Sequence, residues 1–106
     1  MPTAPCSHLD SVHLDRLPPE VPGCEDCLRA GDGWVHLRIC LTCGHVGCCD
    51  SSPNRHATAH AGAADHPLVR SLEPGEDWSW CYRDEVGLVL DRPTGSTRIP
   101  PSPLLS

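Results

Sequence analysis

The stretch Cys40-Leu41-Thr42-Cys43-Gly44-His45-Val46-Gly47-Cys48, carried on through His56 and His60 to His66-Pro67-Leu68, decides how this chain folds. It places six candidate metal donors, Cys40, Cys43, Cys48, His56, His60 and His66, within one short segment. Thiolate sulfur and imidazole nitrogen at such spacings are the material of tetrahedral zinc sites. Six donors exceed what one four-coordinate ion can use. Further donors lie upstream at Cys6, His8, Cys24 and Cys27, and downstream at Cys81.

Working outward, the whole chain has 106 residues, enough for a single domain, with eight Cys, seven His, three Trp, one Tyr and no Phe. So thin an apolar inventory calls for a metal or disulfide staple. No apolar run follows Met1, so neither a signal peptide nor a membrane span is expected. The expected compartment is then the reducing cytoplasm, where a cysteine pattern reads as metal binding. The histidines agree, since disulfides make no use of imidazole.

The formal net charge is −6, and the basic residues are eight scattered arginines without a single lysine. Nucleic-acid binding needs a basic face toward phosphate, so that partner class is excluded. Abundant Ala, Gly, Pro and Arg, with no Lys or Phe, hints at a GC-rich bacterial genome.

Local signals place the donors on elements. Residues 1–5 read as a tail. Leu17-Pro18-Pro19-Glu20-Val21-Pro22-Gly23 is barred from helix by its prolines and delivers the chain, extended, to a Cys24-x2-Cys27 knuckle. Gly31-Asp32-Gly33 is a turn. Trp34 to Cys40 alternates as a strand, with Val35, Leu37 and Ile39 inward and Trp34, His36 and Arg38 on the other side. His36 reads as an ordinary exposed strand residue. Ser52 as N-cap and Pro53 at the first position predict a helix over 53–61, ending near Gly62. His56 and His60 then share one helical face at i and i+4. Such a pair can be plain surface histidines, but six cysteines between Cys24 and Cys49 favour ligation. Strands are expected at 66–72, 78–82 and 86–90, and the Pro-rich residues 92–106 as a flexible tail.

Spacing alone leaves the grouping open. Cys24, Cys27, Cys40 and Cys43 would make a four-cysteine ribbon, leaving Cys48, His56, His60 and His66 as a second quartet. The ordered series Cys6-Ser7-His8-Leu9, Cys24-x2-Cys27, Cys40-Leu41-Thr42-Cys43-Gly44-His45-Val46-Gly47-Cys48, His56, His60 and His66-Pro67-Leu68 resembles the ubiquitin-protease-type zinc finger, a ubiquitin-binding module, here in a stand-alone bacterial form. The resemblance covers about residues 6–90, placing the domain at residues 6–91, and implies an α+β fold, a twisted antiparallel sheet of about five strands with one or two short helices. It implies a crossed ligand allotment: Cys24, Cys27, Cys48 and His56 in one site; Cys40, Cys43, His60 and His66 in a second. A third would use Cys6, His8, Cys81 and Asp84, where Asp84 replaces the family's last cysteine. Three zinc ions are thus implied, or two if Asp84 does not ligate.

Closed four-ligand sites are structural, so no enzyme is expected. Cys49 is left as a spare thiol and reads as a passive side chain. The family resemblance also implies a pocket for a free C-terminal Gly-Gly carboxylate, with Trp80 and Tyr82 at its aromatic positions. Departures stand beside these: Asp50 occupies the place of the carboxylate-binding arginine, Arg38 that of a pocket tryptophan, and Gly87 that of a second tyrosine. Arg38 or Arg55 is then the candidate anion clamp. The expected function is a monomeric protein-interaction module that binds a partner's C-terminal tail. The alternative is a structural or regulatory zinc protein that senses metal or oxidant through its thiolates.

Overall fold

The computed structural model describes residues 8–104. After a 3-10 turn at Leu9–Ser11 come helix α1 (Glu25–Ala30), strands β1 (Leu37–Cys40) and β2 (Val46–Cys48), helix α2 (His56–Ala64), and strands β3 (Leu68–Ser71), β4 (Ser79–Cys81) and β5 (Val86–Leu88). The strands form one sheet in the order β2-β1-β3-β4-β5, antiparallel throughout. The expected α+β class, five strands and two short helices are all present.

Register assigns the two faces of the sheet. Arg38 stands opposite Gly47 and Ser71, Cys40 opposite Val69, and Val69 opposite Trp80. Residues directly opposed across antiparallel strands share a face. Leu37, Ile39, Val46, Leu68, Cys81 and Leu88 therefore point to the other side, where all are buried. That side is covered by Val12 and Leu17 from the N-terminal segment, by Cys24 and Cys27 of the α1 turn, and by Trp34. Helix α2 crosses the opposite face over β2. A Cβ on Gly47 would sit 2.6 Å from the Ala57 nitrogen, so only glycine permits this approach. Beyond α2 that face stays open.

Several local expectations are corrected. The Cys24 knuckle opens a helix: Cys24 is the N-cap of α1, its sulfur accepts from the Cys27 amide, and Gly31 closes the helix in the left-handed region. Trp34 does not face outward from an early strand. It is buried against Gly23, and regular pairing begins only at Leu37. Helix α2 starts three residues later than the Ser-Pro signal indicates. Ser52 is buried, its hydroxyl accepts from the Val35 amide at 2.8 Å, and it does not cap the helix, whose N-cap position is Arg55. The Cys48 sulfur meets the first turn instead, accepting from the His56 amide at 3.2 Å. The helix then runs through Gly62 to a left-handed Asp65.

The C-terminal residues expected as a flexible tail run alongside the N-terminal segment. Leu17 and Thr94, and Val21 and Arg98, are joined by backbone hydrogen bonds, while Thr97 and Ser102 hydroxyls donate to the carbonyls of Pro18 and Trp34. Ile99 packs on the core. The prolines that exclude helix leave both segments extended and able to pair in this way. No helix among the described residues is long and apolar enough to cross a membrane.

Candidate metal centres

The α1 turn, the β1–β2 hairpin and α2 converge on one edge of the sheet and gather the predicted donors into two quartets. Cys24, Cys27, Cys48 and His56 form one; Cys40, Cys43, His60 and His66 form the other; within each, the candidate ligand atoms lie within 4.8 Å of one another. The crossed grouping is the arrangement present, and the four-cysteine ribbon allowed by spacing is not. The two histidines of α2 separate, His56 going to the first quartet and His60 to the second. His8, Cys81 and Asp84 make a third, three-donor group. The fourth expected donor, Cys6, lies outside the described residues.

The distances suit a tetrahedral ion. Zinc bonds of about 2.3 Å to sulfur and about 2.0 Å to nitrogen at tetrahedral angles set donors about 3.5–3.8 Å apart. In the first quartet the Cys27 and Cys48 sulfurs are 3.9 Å apart, and His56 Nδ1 is 3.3, 3.2 and 3.6 Å from the sulfurs of Cys24, Cys27 and Cys48. In the second, Cys40 Sγ lies 3.5 Å from His66 Nδ1 and Cys43 Sγ 3.3 Å from His60 Nε2. In the third, His8 Nδ1 is 3.5 Å from Cys81 Sγ and 3.2 Å from an Asp84 oxygen.

The donor chemistry agrees. All seven described cysteines are free thiols, although six are buried. Burial pushes the thiols of Cys24 and Cys40 up and that of Cys27 up to about 12, the charge of neighbouring cysteines adding to the Cys27 rise. Clustered thiols so reluctant to ionise need a cation before they can become thiolates. His60 is held below the ordinary imidazole range by burial and by the nearby His45 and His66, which favours the neutral ligand form.

A contact that spacing did not reveal supports both quartets. Glu25 and Asp26, in the first turn of α1, reach the β1–β2 turn: Glu25 accepts from the Val46 amide at 2.8 Å, and Asp26 lies 2.9 Å from His45 Nε2. His45 then stacks on His60, with ring centroids 4.2 Å apart. Burial alone would raise the Asp26 carboxyl, but His45 and Arg29 together hold it below its usual range. An acid following a cysteine ligand and a histidine before Val46 were the available signals.

The open face of the sheet carries a cleft of about 240 Å³ that includes all three pocket residues singled out in the sequence, Arg38, Trp80 and Tyr82. Trp78, Val69, Ser51, Asp50 and Cys49 complete it. In the sequence Trp78 reads only as the start of a strand, since its place at the end of an acidic turn gives no sign of the cleft. Arg38 lies over the Trp78 ring, its guanidinium carbon 4.5 Å from the centroid, and donates to the Leu37 carbonyl at 3.2 Å. Burial raises the Tyr82 hydroxyl, and Asp50 adds to the rise. Burial would also raise the Cys49 thiol, but hydrogen bonds from Ser52 and the backbone, with the charge of Arg38, carry it below the ordinary range. Arg55 is exposed at the start of α2, does not line the cleft, and is no clamp for it. Gly87 is exposed on β5, directly opposite Trp80.

No curated protein matches the chain. Among solved structures, the solution NMR structure of protein RPA1320 from Rhodopseudomonas palustris is 45% identical, covers 91% of this chain and 95% of its own, and superposes with a TM-score of 0.68. The model of the zinc finger in ubiquitin hydrolases and other proteins matches residues 24–90, a span that holds both complete quartets and the cleft beside them. That match takes in well over half of the chain, and the chain belongs to the ubiquitin-hydrolase-type zinc fingers.

Proposed function

We propose that this chain is a non-catalytic, zinc-stapled protein-interaction module that takes the C-terminal tail of a partner protein into the cleft on the open face of the sheet. The observation that carries this reading is the placement of Arg38. It is fixed against Trp78 at the side of an aromatic cleft, where its remaining N–H groups can meet a terminal carboxylate. An arginine held flat on an aromatic ring loses less freedom on binding than a mobile one. The module works as a monomer in the cytoplasm and has a protein, not nucleic acid, for its partner.

Zinc in this reading is structural. Cys24, Cys27, Cys48 and His56 hold one ion, and Cys40, Cys43, His60 and His66 a second. His8, Cys81 and Asp84, with Cys6, hold a third. Four protein donors per ion leave no position for a reactive water. Native mass spectrometry counts the ions: three are expected, and two would remove Asp84 from the ligand set.

The binding reading is tested by tryptophan fluorescence, since Trp78 and Trp80 both line the cleft. A peptide ending in a free carboxylate is titrated beside the same peptide as its C-terminal amide. The acid is expected to bind at least about tenfold more tightly, and Arg38→Ala to abolish that preference. Equal binding of acid and amide would defeat the reading.

A further inference from the structure

The cleft carries two opposite charges rather than one. Arg38 stands on its β1 side and Asp50 on the loop after β2, with Val69, Trp80 and Tyr82 between the flanking walls. Among the described residues these two charges form no ion pair with each other or with any other side chain. Arg38 is engaged by a carbonyl and an aromatic ring, and Asp50 by the Thr58 hydroxyl, so each keeps its net charge for a ligand. A tail ending in glycine leaves the Asp50 charge facing a carboxylate with nothing to offset it. A tail ending in a long cationic side chain satisfies both.

On the strength of the tail-binding reading, we infer that the cleft selects partners whose C-terminal residue is basic, the terminal carboxylate meeting Arg38 and the cationic side chain passing along Trp80 and Tyr82 to Asp50. Three further observations support the pairing. The aromatic faces that line the path attract a cation in their own right, and a guanidinium already lies on Trp78. The cleft, at about 240 Å³, falls below the roughly 300–1,000 Å³ of ordinary small-molecule sites, a size suited to one terminal residue. The chain's net charge of −6 favours the approach of a basic tail. Tyr82 also borders a neighbouring cleft lined by Gly62, Pro67 and Glu85, which offers the residues upstream of the terminus a way out between α2 and the β4–β5 turn.

The test uses the zinc-loaded full chain and four peptides of one sequence. These end in arginine, in citrulline (which has the same shape without the charge), in glycine, and in arginine amide. At about 0.15 M salt the arginine acid is expected to bind about tenfold more tightly than the citrulline acid, and more tightly than the glycine acid or the amide. In Asp50→Asn, whose side-chain oxygen can still accept from Thr58, the arginine-to-citrulline ratio should fall to about one. Acids that all bind better than the amide, but without regard to arginine over citrulline, would overturn the inference and leave the tail-binding reading standing. So would an arginine preference undiminished in Asp50→Asn. Acids that bind no better than the amide would overturn both.

Discussion

Cys27 states the central competition of this protein. Metal and proton seek the same sulfurs, and a thiol raised to about 12, beside the raised Cys24 and Cys40, holds its proton at neutral pH when no metal is bound. Each ion must expel those protons, so its apparent affinity climbs as pH rises and falls on acidification. Protons should leave as each quartet fills, at least those held by Cys24 and Cys27 in the first and by Cys40 in the second. Calorimetry in buffers of different ionisation enthalpy reads this release. In the metal-free fold the sign is opposite. The neutral Cys27 contributes its full stability below pH 9.0, and that contribution is lost as pH rises from 9.0 toward about 12. At this scale the sequence was informative about donor identity and poor on environment. Cys24, Cys27, Cys48, His56, Cys40, Cys43, His60 and His66 could be named from residue type and order, but the grouping followed from the family resemblance. Spacing fitted two groupings equally well. The place of His45 against His60 depends on a ring orientation that no linear pattern encodes.

At the scale of elements, α2 is a nine-residue helix rich in alanine, with a left-handed Arg55 at its start whose own side chain makes no cap. Little intrinsic propensity holds so short a helix in place. Its position rests on the Cys48 sulfur at its first amide and on the close seat over Gly47. Gly47→Ala should therefore force α2 away from β2, at a cost of about 1–3 kcal/mol. Thermal melts of the zinc-loaded protein would show the loss, and cobalt(II) substitution followed by its ligand-field and charge-transfer bands would show whether the first quartet is distorted. Gly62→Ala, with no atom within 4 Å of the added carbon, is the matched control and should stabilise the helix slightly. Sequence signals placed the helix but misplaced its start. Ser52-Pro53 has the chemistry of a cap, yet the Val35 amide claims the serine hydroxyl, a tertiary contact 17 residues away in sequence.

For the molecule as a whole, the unexpected support comes from residues 93–104. Their low apolar content reads as a tail, because composition measures the ability to build a core and not the ability to line an existing one. Val21, Leu14 and Ile99 lie against the first core group as partly buried neighbours, and the backbone bonds between residues 15–21 and 94–98 hold that cover in place. A chain ending at Leu90 should lose about 1–2 kcal/mol, lowering Tm by roughly 5–15 °C at unchanged zinc content. A Tm within a degree of the full chain would mean that this cover contributes nothing. The sheet itself was readable, since β1, β3, β4 and β5 each fall inside an expected strand. The three-residue β2 was not, because Val46-Gly47-Cys48 is too short to alternate.

The crossed quartets also give the chain the topology of a clasp. One ion's donors run from Cys24 to His56 and the other's from Cys40 to His66, so the two territories overlap instead of lying end to end. A protease that cut the exposed Pro53-Asn54-Arg55 segment would leave Cys24, Cys27, Cys40, Cys43 and Cys48 on one fragment and the three histidines on the other. Both ions would then straddle the break. The nicked molecule should migrate as one species under native conditions and come apart more readily when a chelator is added, metal then acting beside the β1–β3 pairing and the bonds between residues 15–21 and 94–98 as a tie across a severed backbone.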